Sequence, residues 1–171
     1  MADDPLRAQH GGWIYDVFLS FRGEDTRKNF TDHLYYALID AGLNVFRDDP
    51  ELQQGEDITS ELERAIQGSK VAVIVFSQNY ADSRWCLEEL VKIMECRRTL
   101  RQLVLPIFYD VDPSTVRKQT GGFEEAFLRH EQRFFTDIDR VLRWRMALSE
   151  AANLSGWDLR NIADGYLFPT P

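Results

Sequence analysis

The stretch Val71-Ala-Val-Ile-Val-Phe76 is an unbroken apolar run without a charged residue. A short run of this kind is typical of a strand that is covered on both of its faces. Leu103 to Tyr109 is a second run of the same type, and Tyr15 to Phe21 and Leu43 to Phe46 are also rich in Val, Leu and Phe. These four segments predict the strands of one buried sheet.

Segments with apolar residues at helical spacing lie between these predicted strands. They are Asn29 to Ala41, Ile58 to Gln67 and Trp85 to Leu100, and Gly42 and Gly68 follow the first two where C-terminal caps belong. Strand and helix therefore alternate. This alternation predicts a doubly wound α/β fold with a parallel sheet and a ligand site at the carboxyl ends of the strands.

The last third of the chain is less regular. Gly122 to Phe134 and Asp139 to Asn153 have helical patterns, and Ser155 to Leu159 is a candidate fifth strand. We divide the chain into a flexible segment 1–12, one domain over 13–160 and an irregular tail over 161–171. The tail has two prolines in its last three positions, so no helix is expected there.

Composition sets limits on the class of protein. The chain has 171 residues, 20 Lys and Arg against 28 Asp and Glu, and a formal net charge of −8. This length suits a single globular domain, and the excess of acidic residues argues against binding of nucleic acid by the monomer. Its apolar runs are shorter than the ~20 residues that span a bilayer, so no membrane association is expected.

The two cysteines, Cys86 and Cys96, lie in one predicted helix. There they would be about 15 Å apart along the axis, too far for a disulfide. Reduced thiols favour a cytoplasmic or nuclear location.

Common motifs for cofactors and metals are absent from the sequence. It contains neither GxGxxG nor GxxxxGK[ST], so neither a dinucleotide fingerprint nor a P-loop is present. The three histidines lack Cys or carboxylate partners at metal-ligand spacing, and a phosphate-accepting receiver domain would have an aspartate where Ser77 stands. The sequence therefore predicts no metal and no bound cofactor.

Two loops after predicted strands hold the remaining candidates. Arg22 to Arg27 has a glycine between two arginines, which suits a phosphate site, although residue types alone favour an ordinary helix start with solvated charges. Arg47 to Asp57 is an acidic loop with Gly55. It is either a flap beside a site or a solvated connection.

A helical wheel singles out the segment from Trp85 to Met94. Leu90 and Met94 mark the apolar face, and Trp85 lies on the opposite, polar side, as a pocket wall would. Glu89 falls about 40° from Trp85 and is predicted to point away from the core. By residue type alone Glu89 is a solvated glutamate, and Cys86 is a small buried residue rather than a nucleophile.

Six segments, taken together, resemble the plant TIR domain of intracellular disease-resistance receptors. They occur in order from about Ile14 to Leu159, which is most of the chain. The segments are Tyr15-Asp-Val-Phe-Leu-Ser-Phe-Arg-Gly-Glu-Asp-Thr-Arg27, Phe30-Thr-Asp-His-Leu-Tyr35, Phe46-Arg-Asp-Asp49, Ser83-Arg-Trp-Cys-Leu-Glu-Glu-Leu90, Pro106-Ile-Phe-Tyr-Asp-Val-Asp-Pro-Ser114 and Leu154-Ser-Gly-Trp157.

This resemblance implies a flavodoxin-like, three-layer fold with a five-stranded parallel sheet. It also implies an enzyme that cleaves NAD+, or NADP+, to nicotinamide and ADP-ribose or cyclic ADP-ribose products. These products signal to lipase-like immune regulators and lead to hypersensitive cell death. Two other activities remain open: a non-enzymatic adapter that recruits other TIR domains, and a synthetase that makes 2′,3′-cyclic nucleotides from nucleic acid.

The resemblance also implies roles for particular residues. Glu89, rather than Glu88, matches the catalytic glutamate, and the wheel places these two glutamates on opposite sides of Trp85. The residues expected to bind NAD+ lie in the first loop, the flap and the start of the third predicted helix: Arg22, Gly23, Glu24, Asp25, Thr26, Arg27, Gly55, Ser83, Trp85 and Cys86.

Family members become active by self-association, and two surfaces carry this expectation. Asp32 and His33 lie on the first-helix face, and Gly156 marks a second surface. One segment departs from the family pattern. Where the family usually has a last helix beside the first one, this chain has the residues from Arg160 onward, and we expect that helix to be missing.

Overall fold

The structure is a computed structural model that describes residues 12–47 and 58–159. Five parallel strands form one sheet in the order β2-β1-β3-β4-β5. This arrangement confirms the predicted α/β fold with a five-stranded parallel sheet. The strands are β1 (Tyr15–Phe21), β2 (Val45–Arg47), β3 (Ser69–Phe76), β4 (Leu103–Phe108) and β5 (Trp157–Asp158).

Helices connect successive strands and cover both faces of the sheet. A π-helical turn over Arg27–Thr31 joins the first two helices, and short 3-10 turns over Tyr80–Asp82 and Phe135–Asp137 precede two others. The helices are α1 (Gly23–Thr26), α2 (Asp32–Asp40), α3 (Ser60–Gln67), α4 (Arg84–Leu100), α5 (Pro113–Lys118), α6 (Gly122–Arg133) and α7 (Ile138–Ala152).

Side chains of β3 show how the sheet is buried from both sides. Ala72, Ile74 and Phe76 belong to one apolar cluster, which includes residues of α3, α4, α6 and α7. Val73 and Val75 belong to a second cluster on the other face, against which residues of α2 pack. Successive strand residues point to opposite faces, so a continuous apolar run is what a central strand with two covered faces requires.

Two local differences from the predicted elements concern helix starts. The first helical segment begins at Gly23 rather than Asn29, because α1 and the π-helical turn precede α2. No helix was predicted between the fourth strand and Gly122, whereas Pro113 is the first residue of α5. Asp112 caps this helix by accepting a hydrogen bond from the Ser114 amide at 2.8 Å. Proline suits this position because the first helical amide has no intrahelical partner.

The predictions for 1–11 and for the tail over 161–171, including the missing last helix, lie outside the described residues. Within the described ranges, no helix is both long enough and apolar enough to cross a membrane.

Candidate active site

A cavity of about 360 Å³ opens beside the carboxyl ends of β1 and β3. These two strands are neighbours in the sheet, but the connection after β1 leads toward one edge and the connection after β3 leads toward the other. Ligands of doubly wound folds bind at the point where the connections diverge in this way. Three parts of the chain form its wall: the loop after β1, the start of α4 and the end of α6. The residues are Arg22, Gly23, Glu24, Asp82, Ser83, Arg84, Trp85, His130 and Arg133.

Arg22 lies in this wall and is held by two carboxylates. Its Nη2 atom donates to Glu24 Oε2 at 2.9 Å, and its Nε atom is 3.9 Å from Asp25 Oδ1. The Nε atom is buried and makes no hydrogen bond within the described residues. Arg22 is therefore a partly exposed cation, oriented by two carboxylates, in the wall of a cavity that is large enough for a small ligand.

Asp25 connects the first loop to the loop after β3 and does not line the large cavity. Its carboxylate accepts hydrogen bonds from Ser77 Oγ at 2.5 Å, from the Asn79 amide at 3.0 Å and from Asn79 Nδ2 at 3.2 Å. Asp25 also borders a separate cavity of about 140 Å³. Its clearest role in the structure is to fix the two loops relative to each other.

The other residues predicted for the first loop and the flap differ in their surroundings. Thr26 is buried, and its hydroxyl hydrogen-bonds with that of Thr31 at 2.6 Å. The Arg27 side chain and Gly55 lie outside the described part of the chain. For these three residues the NAD-binding role stays a prediction.

The start of α4 forms a second side of the cavity. Ser83 caps the helix, and its Oγ atom accepts a hydrogen bond from the Cys86 amide at 3.2 Å. The Arg84 guanidinium lies 4.6 Å from the centre of the half-buried Trp85 ring. The structure thus brings Ser83 and Trp85 together with Arg22, Gly23 and Glu24, as the sequence predicted for one site.

Glu89 is only 1% exposed, so the prediction that it points away from the core is wrong. Helix α4 contacts α3, α7, β1 and β4, so neighbours cover a wider arc of its surface than one apolar stripe. Ile93 and Cys96 are buried on the same side as Glu89. Burial of a carboxylate costs folding free energy, so a glutamate that is buried in this arc is a candidate functional residue.

Glu88, the neighbouring glutamate, has a different environment. Its Oε1 atom accepts a hydrogen bond from Arg140 Nε at 2.7 Å, and the Arg140 guanidinium also lies over the rings of Phe134 and Trp144. Glu88 thus links α4 to α7 through an ion pair and, like Glu89, is not among the residues that line the cavity. The choice of Glu89 over Glu88 as the catalytic residue stays a prediction.

Cys86 and Tyr80 are two buried polar side chains that interact electrostatically with Glu89. Burial raises the pKa of the Cys86 thiol well above its ordinary value, and the Glu89 carboxylate raises it further. Burial likewise raises the pKa of Tyr80, whose hydroxyl hydrogen-bonds with Ser20 Oγ at 2.8 Å and donates to the Cys86 carbonyl at 3.2 Å. Cys86 is therefore a protonated, fully buried thiol, which confirms its interpretation as a small buried residue.

Residues 14–168 match the sequence profile of the TIR domain. The chain belongs to the TIR domain family. Within the described residues of this TIR domain, no group of three or more His, Cys, Asp or Glu side chains is placed to hold a metal ion.

This TIR domain is similar to the TIR regions of plant disease-resistance proteins. It is 59% identical to the TMV resistance protein N of Nicotiana glutinosa over 144 residues, 84% of this chain and 13% of that protein. It is 63% identical to the disease resistance protein RPV1 of Vitis rotundifolia over 145 residues, 85% of this chain and 10% of that protein. The chain thus spans about a tenth of the length of these curated relatives.

A solved structure supports the same family at the level of the fold. The TIR domains of the activated Roq1 resistosome, which directly recognizes the pathogen effector XopQ, superpose on this chain with a TM-score of 0.82. The identity is 58%, and the match covers 89% of this chain and 92% of that one. The predicted resemblance to plant TIR domains and the flavodoxin-like fold are therefore confirmed.

The residues predicted for self-association occupy three different environments in this TIR domain. His33 is exposed on α2. Asp32 is paired with Arg47, whose Nη1 atom is 2.5 Å from Asp32 Oδ1 and whose guanidinium lies over the Tyr35 ring. Gly156 is buried against the backbone of Pro106 and is not itself a surface residue.

His130 and Arg133 line the cavity, although sequence reasoning did not select them. The His130 Nε2 atom is 2.7 Å from the Ala81 carbonyl oxygen and donates to it in the neutral ring, and burial lowers the pKa of this histidine below its ordinary value. Both residues lie on α6, far along the chain from the two loops that the motifs marked. The sequence contained one signal for this pair. The two residues are three positions apart in a predicted helix, and residues at this spacing share a face.

Proposed function

We propose that this TIR domain hydrolyses NAD+ to nicotinamide and ADP-ribose or cyclic ADP-ribose products, with Glu89 as the catalytic carboxylate. The observation that carries the proposal is the cavity between Arg22 and Trp85, together with a buried carboxylate one helical turn after Trp85. NADP+ is a second candidate substrate, because it has the same bond between nicotinamide and ribose. NAD+ is the substrate in this proposal, and the reaction needs no bound cofactor.

The proposed chemistry follows from charge. When the bond between nicotinamide and ribose breaks, nicotinamide leaves as a neutral molecule with the bonding electrons, and positive charge develops at the anomeric carbon. A water molecule then adds to this carbon and loses a proton, or a nitrogen of the adenine attacks it and closes a ring. A carboxylate beside the ribose stabilises the positive charge, as in glycoside hydrolysis.

Each residue of the site has a corresponding part in this proposal. Arg22 binds a phosphate through its remaining donors, and Trp85 stacks on the nicotinamide or ribose. Glu89 is almost completely buried and does not line the cavity, so the substrate can meet its carboxylate only after local rearrangement. This burial supports activation by self-association, in which a neighbouring copy completes the site.

The relatives support a place for this activity in plant immunity. Their names describe resistance to disease, and their TIR regions are about 60% identical to this chain. On this basis we assign the domain to innate immune signalling, through products that act on lipase-like immune regulators and lead to hypersensitive cell death. We expect it to act in the cytoplasm, and in the nucleus where the whole protein enters it.

An adapter without enzymatic activity is the second candidate, and one observation favours it. Tyr36 is 58% exposed and Ile39 is 39% exposed on α2, the helix that also carries Asp32 and His33. Exposed apolar side chains on one helix suit an interface with another TIR domain. The adapter needs this surface but does not need Glu89.

The decisive experiment measures NAD+ consumption over a range of protein concentrations. We expect the specific activity of the unmodified protein to rise with concentration, and Glu89→Gln to abolish the activity. Glu88→Gln is the matched control, because it makes the same replacement of a carboxylate by an amide at the adjacent glutamate. We expect it to keep most of the activity, although the pair with Arg140 loses its negative charge.

Thermal unfolding of both variants shows whether they remain folded. Turnover by Glu89→Gln equal to that of the unmodified protein would contradict the catalytic assignment. A protein that self-associates but consumes no NAD+ at any concentration would be an adapter.

A further inference from the structure

The last turn of α6 contributes to the wall of the cavity, together with the loop after β1 and the start of α4. His130 and Arg133 lie three residues apart on this helix and both line the cavity. In chain order they come more than a hundred residues after Arg22. Their presence in the wall therefore depends on how α6 is attached to the rest of the domain.

Two contacts attach α6 to the turn that precedes α4. The neutral His130 ring donates a hydrogen bond to the Ala81 carbonyl. Next to it, Arg129 forms an ion pair with Asp82. Since Ala81 and Asp82 lead directly into the capping residue of α4, these contacts hold the end of α6 in a defined position beside Trp85.

The charges of the cavity wall are not all neutralised. Glu24 is paired with Arg22, and Asp82 is paired with Arg129. Arg133 has its guanidinium 5.5 Å from the centre of the Phe134 ring and makes no ion pair with a carboxylate in the described ranges. A cation in the wall of a cavity is notable in a chain whose net charge is −8.

We propose that Arg133 is a phosphate-binding residue, which contacts the pyrophosphate of the dinucleotide together with Arg22. The planar guanidinium fork suits phosphate oxygens, and two arginines in the wall of one cavity match the two phosphates of a diphosphate group. Arg133 binds and positions the ligand and takes no part in bond cleavage. This inference rests on the proposed function for the identity of the ligand.

Equilibrium titration with ADP-ribose and with adenosine tests this role. The two ligands share the base and a ribose, but adenosine has no phosphate. We expect Arg133→Ala to weaken ADP-ribose binding about tenfold, the usual effect of losing one charge-assisted contact, and to leave adenosine binding unchanged. Increasing salt should weaken ADP-ribose binding less in this variant than in the unmodified protein.

Two further variants and a stability measurement complete the experiment. Arg143→Ala removes the same charge from an exposed position on α7 that does not line the cavity, and should leave both affinities unchanged. Arg133→Lys keeps the charge without the fork and should give an intermediate affinity. Thermal unfolding distinguishes ligand binding from the ordinary stabilisation that a cation gives to the end of a helix.

The possible outcomes separate this inference from the proposed function. ADP-ribose binding that is unaffected by Arg133→Ala would overturn it. An equal loss of affinity for both ligands, together with a lower melting temperature, would also overturn it, because Arg133 would then act only on the end of α6. Binding of ADP-ribose that depends on Arg133, in a protein that never cleaves NAD+, would support the phosphate site and reject the hydrolase.

Discussion

At the scale of single residues, Gly156 and Pro106 are joined by a very close contact. A Cβ atom built on Gly156 would lie 2.1 Å from the Pro106 carbonyl oxygen, which is a backbone atom of β4. Only a glycine fits this position without a shift of the main chain. A substitution of Gly156 would therefore act first on the packing of the chain against β4.

Gly156→Ala should lower the free energy of unfolding by about 1–3 kcal/mol, the usual cost of adding a methyl group where there is no room. Urea unfolding measures this loss. Gly122→Ala is the control, because a Cβ there meets nothing within 4 Å, and it should be neutral or slightly stabilising. Equal stability of the two variants would contradict the tight packing of Gly156.

Glu89 shows how the neighbours of a residue determine its role. Its position in the sequence suggested a solvated side chain, but contacts of α4 with α3, α7 and the sheet bury it. The period of apolar residues indicates where the most apolar part of a helix lies. It does not indicate how many neighbours pack around the helix, so the width of the buried arc could not be predicted from the sequence.

At the scale of secondary-structure elements, hydroxyl side chains cap two helices in the same way. Ser83 accepts the Cys86 amide at the start of α4, and Thr59 accepts the Leu62 amide at the start of α3. Both hydrogen bonds are 3.2 Å long. Only Ser83 lines the cavity, so the two caps separate an effect on stability from an effect on the site.

Ser83→Ala and Thr59→Ala should each lower the free energy of unfolding by about 1 kcal/mol through loss of a helix cap. In addition, Ser83→Ala should reduce NAD+ turnover under conditions where both variants are folded, because Ser83 fixes the start of α4 beside Trp85. Urea unfolding and the NAD+ assay measure the two effects. If both variants lost the same fraction of NAD+ turnover, the loss would be due to lower stability alone and not to the position of Ser83 beside Trp85.

The elements of the central sheet followed closely from the sequence, because their apolar runs are local patterns. The bounds of β1 were predicted without error. The strand predicted over Leu43 to Phe46 is β2, which begins two residues later and ends one residue later, at Val45–Arg47. The π-helical turn over Arg27–Thr31 and the helix α5 were not predicted. The π-helical turn contacts α1 and α2, and α5 contacts α7, and neither segment is long enough to show a distinct helical period in the sequence.

At the scale of the whole molecule, the net charge of −8 opposes self-association. Two copies with the same charge repel each other, and salt screens this repulsion beyond about 10 Å at 0.1 M ionic strength. The same salt should weaken the proposed binding of an anionic dinucleotide to Arg22 and Arg133. Assembly and ligand binding should therefore respond to ionic strength in opposite directions.

Sedimentation velocity at a fixed protein concentration should show stronger self-association as ionic strength increases. Arg143→Glu makes the exposed surface of α7 more negative and should make this dependence steeper. Dissociation of the assembly by salt would instead indicate an interface that is held mainly by pairs of opposite charge.

The sequence by itself determined the family, the parallel sheet with both faces covered, and two candidate site segments, the loop with Arg22 and the helix start with Trp85. These features depend on local periodicity and on motifs of adjacent residues, which can be read along the chain. Only the tertiary structure decided that Glu89 is buried, that Gly156 packs against Pro106, and that α6 closes one side of the cavity. Each of these depends on packing between segments far apart in sequence, and no local pattern records how closely such segments approach.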